Sequence, residues 1–183
     1  MKEKELYFIA LVPVEPLYST VMELKEYFRE HYQSRKALNS PPHITLQMPF
    51  KWRPDREDRV EEMLDRIADN CEEFQLRLNG FGFFEPRVVY IDLEESKPLI
   101  SLHKAVGKAV REHLKLVNDL GERPFRPHMT IAFRDLKKPL FFEAKEEFEQ
   151  KSLEEQFYVK DICLLKHNGS SWDVYRRYEL IRR

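Results

Sequence analysis

Pro42-His43-Ile44-Thr45-Leu46 is repeated later in the chain as Pro127-His128-Met129-Thr130-Ile131. The chain contains three threonines, and two of them lie two positions after a histidine that itself follows a proline. Side chains of an extended strand alternate between its two faces, so the His and Thr of each motif share one face. Each motif therefore predicts a strand that presents an imidazole and a hydroxyl to one surface and an apolar anchor to the core.

The composition is that of a soluble globular protein, with 183 residues, 42% hydrophobic and 34% charged. A formal net charge of −1 gives no overall attraction to nucleic acid or to an anionic membrane. The apolar run from Leu6 to Val14 is short and is broken by Pro13, so it predicts a strand and not a membrane span. Cys71, on a predicted helix, and Cys163, in a predicted strand, lack metal-ligand spacing and are interpreted as reduced core residues of a cytoplasmic protein.

The hydrophobic pattern predicts the same order of elements twice, which we interpret as an internal duplication. The first copy is strand 6–12, helix 17–32, the first motif strand, a helix from Pro54 to Cys71 and strand 74–84. The second copy is strand 88–93, helix 98–117, the second motif strand, a helix at 143–150 and strand 157–166. We expect a single two-lobed domain over 1–183, duplicated at roughly 5–84 and 88–166, with a C-terminal hairpin over 162–181 around Asn168-Gly169. This pattern favours a largely antiparallel α+β fold.

Two histidines that face one cleft can act as a general base and a general acid, because an imidazole titrates near neutral pH. One accepts a proton from water or a ribose hydroxyl, and the other donates a proton to the departing oxygen of a phosphodiester. A threonine hydroxyl can donate to a non-bridging phosphate oxygen. We therefore predict that His43 and His128 are catalytic and that Thr45 and Thr130 bind phosphate.

The two motifs resemble those of the two-histidine phosphoesterases, especially the branch of 2′-5′ RNA ligases or RNA 2′,3′-cyclic phosphodiesterases. The resemblance is carried by the segments 41–46 and 123–131 and extends over nearly the whole chain in length, spacing and element order. It implies a bilobal α+β fold of two antiparallel sheets backed by helices, with pseudo-twofold symmetry and a central groove that holds both motifs.

The same resemblance implies a metal-independent reaction without a cofactor, acting on an RNA 2′,3′-cyclic phosphate end or a small cyclic phosphate nucleotide. It implies that His128 activates water while His43 protonates the ribose 3′ oxygen, leaving a 2′-phosphate, and it leaves room for a reversible 2′-5′ RNA ligase activity. The residues themselves leave the two roles exchangeable. We expect a monomer that does not bind membranes.

Candidate substrate-binding residues flank the motifs and lie on the first strand. The RNA branch commonly has arginines where Gln47 and Phe133 stand here, and a strand shifted by one residue presents its side chains to the opposite face. Basic residues near both motifs could form a rim or pair with neighbouring acidic residues. The candidates are Arg126, Arg134, Phe8 and Tyr7, with Trp172 and Tyr175 as further aromatics.

Three functions remain open from the sequence. The first is a phosphoesterase, and the second is a non-catalytic module of the same fold that binds RNA ends or nucleotides. The third is a metal hydrolase, which is disfavoured because no acidic or cysteine ligand stands at comparable spacing. The remaining four histidines are interpreted as structural: His31, His103, His113 and His167.

Overall fold

The computed structural model describes residues 3–116 and 124–182, in which helices and strands alternate. The helices are α1 (Leu17–Tyr32), α2 (Glu57–Ala68), α3 (Lys97–Ala109) and α4 (Lys138–Phe148). Short 3₁₀ helices cover Lys36–Asn39 and Pro54–Arg56, and α3 continues as a π-helical turn over Val110–Leu114. The strands are β1 (Glu5–Leu11), β2 (Ile44–Trp52), β3 (Phe74–Phe84), β4 (Val88–Leu93), β5 (His128–Ala132), β6 (Gln156–Val159), β7 (Asp161–His167) and β8 (Trp172–Glu179).

All the strands described belong to one sheet with the order β6-β3-β4-β5-β2-β1-β7-β8. Every neighbouring pair is antiparallel, and the sheet curls into a half-barrel. The predicted α+β, antiparallel architecture is confirmed, but there is one continuous sheet where two were expected. The two halves join because the motif strands β2 and β5 pair at Ile44 and Met129, which leaves neither strand with an exposed edge.

The pairing also crosses between the two predicted copies of the chain. The last strand of the first copy, β3, pairs with β4, which begins the second copy. In return, β7 from the end of the second copy pairs with β1. Each half of the sheet is therefore built from both predicted copies. The duplication itself stays a prediction.

One face of the sheet carries the main core. The buried apolar residues of all four helices join a single cluster with Ile9, Ile44, Ile91, Met129 and Leu164 from the strands. The opposite face, which we call the open face, carries a much smaller apolar cluster of Phe8, Ala10, Val12, Cys163 and Leu165. Since neighbouring residues of a strand point to opposite faces, the histidines and threonines of both motifs lie on the open face.

Several predicted boundaries differ from the structure. α2 ends at Ala68, so Cys71 lies in the turn after it and is half-buried, whereas Cys163 is fully buried; both are free thiols. α4 begins five residues earlier than predicted, at Lys138. The predicted strand 157–166 is two strands, broken at Lys160. The predicted helix to Val117 and the loop from Gly121 extend outside the described residues.

The predicted C-terminal hairpin is present. β7 and β8 pair from Asp161–Glu179 to His167–Trp172. Asn168 Oδ1 accepts hydrogen bonds from the backbone N–H groups of Ser170 and Ser171, and Gly169 has φ +103°. A left-handed backbone favours glycine, so the turn chemistry read from the sequence is the one observed.

Candidate active site

The sheet register brings the two motifs together as a square of four side chains. Continuing the antiparallel Ile44–Met129 pair by one residue each way places His43 opposite Thr130 and Thr45 opposite His128. Directly opposed side chains have their Cβ atoms about 4.5–5.5 Å apart. Each histidine therefore stands beside the threonine of the other motif, and all four side chains are half-buried on the open face.

Both imidazoles are held in the same way. His43 Nδ1 lies 2.7 Å from the carbonyl oxygen of Pro41, and His128 Nδ1 lies 2.8 Å from that of Arg126. A carbonyl oxygen can only accept, so Nδ1 must carry the hydrogen and donate it. In the neutral ring this leaves Nε2 as the proton acceptor, and each ring is fixed with Nε2 as its reactive nitrogen.

The pKa values of both histidines are lowered, chiefly by burial. For His43, burial lowers the pKa from its usual 6.5 to about 4; the hydrogen bond to the Pro41 carbonyl opposes this, and Lys25 and His128 lower the pKa further by smaller amounts. For His128, burial also lowers the pKa; the hydrogen bond to the Arg126 carbonyl opposes this, the positive charge of Arg126 lowers the pKa further, and the Asp92 carboxylate raises it. Both imidazoles are therefore largely neutral at pH 7 when nothing is bound, His43 more completely.

The surroundings of His43 are aromatic and nearly uncharged on the open face. The Phe8 ring centroid lies 4.9 Å from that of His43, and Trp172 packs edge-on against Phe8 at 4.7 Å. His167, interpreted from sequence as a structural residue of the hairpin turn, lies 5.0 Å from Trp172. Phe8 is buried, so the partly exposed ring nearest to it in this group is Trp172, which packs on Phe8.

The surroundings of His128 combine aromatic rings with charge. The ring centroids of Phe84 and Tyr90 each lie 5.1 Å from that of His128. The exposed guanidinium of Arg126 lies 5.5 Å from the centroids of both aromatic rings. Gly82 makes this packing possible, because a Cβ added there would lie 2.3 Å from the Tyr90 ring. The buried Tyr90 hydroxyl has no hydrogen-bond partner among the described residues.

The strands outside the motifs distinguish the two histidines further. Asp92 pairs with His128 in the register of β4 and β5. The corresponding position beside His43 is Val12, one residue beyond the Leu11–Ile44 pair of β1 and β2. A carboxylate therefore neighbours one imidazole and an apolar side chain the other. The sequence gave no indication of Asp92, and it did not distinguish Tyr90 and Phe84 from the other aromatic residues that could stack on a base, because these residues reach His128 only through strand pairing.

The other predicted substrate residues are divided between the two faces. Tyr7 lies on the face of the sheet that carries the main core, where its hydroxyl hydrogen-bonds to Glu57 and Glu5. The Tyr175 hydroxyl also donates to Glu57. Arg134 is exposed, with its guanidinium 5.1 Å from the ring of its neighbour Phe133. The structure thus brings Phe8, Trp172 and Arg126 to the histidines and does not bring Tyr7, Tyr175 or Arg134 there.

Two further positions concern the arginines of the RNA branch. Gln47 is buried and pairs with Ile9 of β1, whereas Thr45 pairs with the next residue, Ala10. Two steps along β2 thus match one step along β1, because the register is irregular at this point. Gln47 therefore does not stand at the open face. Arg123 lies outside the described residues. Among the other basic residues after the first motif, Arg53 forms an ion pair with Asp55. This agrees with the alternative that these basic residues pair with neighbouring acidic residues.

Residues 3–116 and 124–182 contain no group of three or more His, Cys, Asp and Glu side chains arranged to hold a metal ion. Within these same ranges, none of the helices combines the length and apolarity needed to cross a membrane.

An α+β fold whose antiparallel sheet aligns two His-x-Thr motifs on one face is the architecture of the LigT-like two-histidine phosphoesterases. The sequence model of the 2′-5′ RNA ligase superfamily matches residues 13–171, and the chain belongs to this superfamily. The family resemblance carried by the motifs is therefore confirmed.

Relatives and solved structures agree with this membership. A protein of Oceanobacillus iheyensis named "putative phosphoesterase OB1230" is 29% identical over 96% of this chain and 98% of its own. LigT of E. coli, crystallised with 3′-AMP, matches with a TM-score of 0.70 and 18% identity, over 97% of this chain and 99% of LigT. TT0787 of Thermus thermophilus matches with a TM-score of 0.68 and 20% identity, over 96% of this chain and 97% of TT0787. At such identities the structures show the fold alone.

Proposed function

We propose that this protein is a phosphoesterase that hydrolyses a 2′,3′-cyclic phosphate by general acid–base catalysis between His43 and His128. The observation that carries the proposal is the square of the two histidines and two threonines around the Ile44–Met129 pair. Both Nδ1 atoms are occupied by backbone carbonyls, so both Nε2 atoms are available for proton transfer. A phosphate placed over the square would meet one imidazole on each side.

The proposed reaction balances with these four side chains and water. A water oxygen attacks phosphorus while one Nε2 accepts its proton, and the bond from phosphorus to the ribose 3′ oxygen breaks. The other imidazole, protonated at Nε2, donates that proton to the 3′ oxygen, which leaves a 2′-phosphate. Thr45 and Thr130 donate hydrogen bonds to the two non-bridging oxygens, where negative charge accumulates. A ribose 5′ hydroxyl that attacks phosphorus in place of water would form a 2′-5′ linkage by the same steps.

The surroundings of the two histidines favour a particular division of roles. The base must be neutral and the acid must be protonated when substrate is bound. His43 has the lower pKa and an apolar neighbour in Val12, whereas His128 has Asp92 opposite it. We therefore assign His43 as the proton acceptor and His128 as the donor, which reverses the roles implied by the family resemblance. A bound phosphate anion raises both pKa values, and Asp92 adds to this effect only at His128.

The nature of the substrate is supported by the open face and by relatives. Trp172 beside one histidine and Phe84 beside the other are partly exposed rings, and stacking on aromatic rings is a common way to hold bases. Arg126 adds a positive charge beside His128. LigT of E. coli has been crystallised with 3′-AMP, ATP and NADP⁺, so nucleotides enter that related fold. We propose an RNA end or a nucleotide with a 2′,3′-cyclic phosphate as the substrate.

The test is turnover of the four 2′,3′-cyclic nucleotides in the presence of EDTA, with products identified by phosphorus NMR. We expect turnover by the unmodified protein, its loss in His43→Ala and in His128→Ala, and its retention in His31→Ala. His31 is a matched control because it is an exposed histidine of α1 whose ring stacks on Tyr27 of the same helix.

Two outcomes would contradict the proposal. Nucleotide binding without turnover of any cyclic phosphate would indicate the non-catalytic binding module. Activity that EDTA abolishes and a divalent metal restores would contradict a reaction carried out by two imidazoles alone.

A further inference from the structure

The segment that leads into the first motif is held at both of its ends. It consists of Ser34 and Arg35, the 3₁₀ helix Lys36–Asn39 and Ser40, and it is followed directly by Pro41, whose carbonyl accepts the hydrogen bond from His43. A four-residue 3₁₀ helix has little stability of its own. Its position, and hence that of the Pro41 carbonyl, therefore depends on contacts from elsewhere in the fold.

The carbonyl groups of this segment are bound by a buried lysine. Lys25 lies on α1, is 1% exposed, and donates from Nζ to the carbonyl oxygens of Ala37 at 3.0 Å and Ser40 at 2.8 Å. None of the ion pairs identified in the described residues includes it. Burial lowers the pKa of Lys25 to about 7. A charged group is rarely placed in such a position, because its desolvation is unfavourable.

The N–H end of the segment is bound by a carboxylate from the other half of the sheet. Asp135 accepts hydrogen bonds from Ser34 Oγ at 3.0 Å and from the backbone N–H groups of Arg35 at 3.0 Å and Lys36 at 3.1 Å. Asp135 follows β5, the strand of the second motif, through Arg134 with φ +59°. One side chain thus ties the end of the second motif to the loop of the first.

We propose that Lys25 and Asp135 are positioning residues that fix the His43 imidazole through the backbone of the 34–41 segment. Lys25 holds the carbonyl end, Asp135 holds the N–H end, and together they place the Pro41 carbonyl that fixes the Nδ1–H form of His43. The catalytic consequence rests on the proposed function, whereas the orientation of the ring does not.

Lys25 and Asp135, which we call the clamp, can be studied by NMR because the charges around the two histidine rings differ. His43 is influenced by Lys25 and His128, and His128 is influenced by Arg126 and Asp92. Removal of Lys25 takes away a positive charge, which raises the pKa of His43, and weakens the hydrogen bond from the ring to the Pro41 carbonyl, which lowers it. Neither change acts directly on His128.

The experiment is nitrogen-15 and proton NMR of the histidine rings against pH in Lys25→Met and Asp135→Asn. In the unmodified protein we expect His43 to be held in the Nδ1–H form. In both variants we expect a mixture of the two neutral forms at His43. His128 should be unchanged. Asp135→Asn keeps the test usable if Lys25→Met does not fold.

Val21→Ala is the matched control, because Val21 is a fully buried residue of the same helix one turn before Lys25. It should lower stability and leave the tautomer and pKa of His43 unchanged. The proposal is overturned if Lys25→Met and Asp135→Asn also leave His43 unchanged, or if Val21→Ala alters it to the same extent.

A kinetic measurement then tests the catalytic consequence. With a 2′,3′-cyclic nucleotide we expect kcat to fall about ten- to hundredfold in either variant, with KM within about twofold, because a misplaced base affects the chemical step more than binding. If no cyclic phosphate is turned over, the proposed function fails, but the NMR result still decides whether the clamp positions His43. If turnover occurs and kcat is unaltered in both variants, the positioning role is wrong.

Discussion

His43 and His128 have the same backbone arrangement and different neighbours. Each follows a proline, donates from Nδ1 to the carbonyl two residues earlier and stands opposite the threonine of the other motif. Around His43 lie Phe8 and Val12, and around His128 lie Asp92 and Arg126. The shared backbone arrangement is determined by the local sequence of each motif, and the different neighbouring side chains come from the strands on either side. The comparison indicates that a symmetric frame can hold two imidazoles with unequal proton affinities.

The largest expected effect is on kcat, which the two histidine substitutions should lower to different extents depending on the leaving group of the ester. On a 2′,3′-cyclic nucleotide we expect His43→Ala and His128→Ala each to lose about 10³-fold in kcat. On a nitrophenyl phosphodiester we expect His128→Ala to recover most of its activity, since a nitrophenolate departs without a proton. His43→Ala should stay impaired on both esters.

The measurement is kcat for both variants on both substrates, with His31→Ala as the control. Recovery of His43→Ala in place of His128→Ala would restore the roles implied by the family resemblance. Equal losses on both esters would show that the neighbours do not distinguish the two rings.

The second expected effect is on stability. His43 has a pKa of about 4 in the folded protein and near 6.5 when unfolded, so the unfolded chain binds more protons between these values. The free energy of unfolding therefore falls as the pH is lowered from about 6.5 towards 4, by up to about 3 kcal/mol. Above pH 6.5 this contribution is fully present.

Urea denaturation at several pH values measures this effect in His43→Gln and His128→Gln. The pH dependence should be reduced strongly in the first variant and less in the second, because the pKa of His128 is lowered by a smaller amount. A pH dependence that His43→Gln leaves intact would mean that the ring is not desolvated as the structure has it.

A third test disturbs the surroundings of His128 alone. In Gly82→Ala the new Cβ would overlap the fully buried Tyr90 ring, so we expect a loss of about 1–3 kcal/mol in stability. The NMR signals of His128 should shift and those of His43 should not. Gly107→Ala is the control, because its Cβ would meet no atom closer than 3.6 Å and a helical alanine should be neutral or stabilising. Shifts at both histidines would show that the two halves are coupled.

The smallest expected effect concerns the exposed arginines. Arg126→Ala should raise KM for a cyclic nucleotide about five- to tenfold, because a positive charge beside the phosphate is lost. The difference should shrink at high salt, which screens exposed charges. Arg134→Ala should change KM less than about twofold, since its side chain packs on Phe133 and not on a motif residue. If Arg134→Ala has the larger effect, the substrate lies across the other end of β5.

Local patterns in the sequence predicted much of the fold. The bounds of α1, β3 and β4 agree with the structure, because their apolar spacing and flanking turn residues act over short distances. The prediction failed for Cys71, whose carbonyl accepts from the N–H of Ile181 while Glu73 donates to the Ile181 carbonyl. This long-range pairing draws the chain away from α2. The break at Lys160 has a similar cause, since β6 pairs with β3 and β7 pairs with β1.

The sequence by itself determined the two motif strands, the face that carries His43, Thr45, His128 and Thr130, and the superfamily. These follow from a side-chain period of two and from short-range residue chemistry. Only the tertiary structure decided that β2 and β5 pair, that Tyr7 and Tyr90 lie on opposite faces, and that Asp92 and Lys25 act on different histidines. Strand pairing and burial join residues far apart in the chain, and they set the electrostatic difference between two motifs that are nearly alike in sequence.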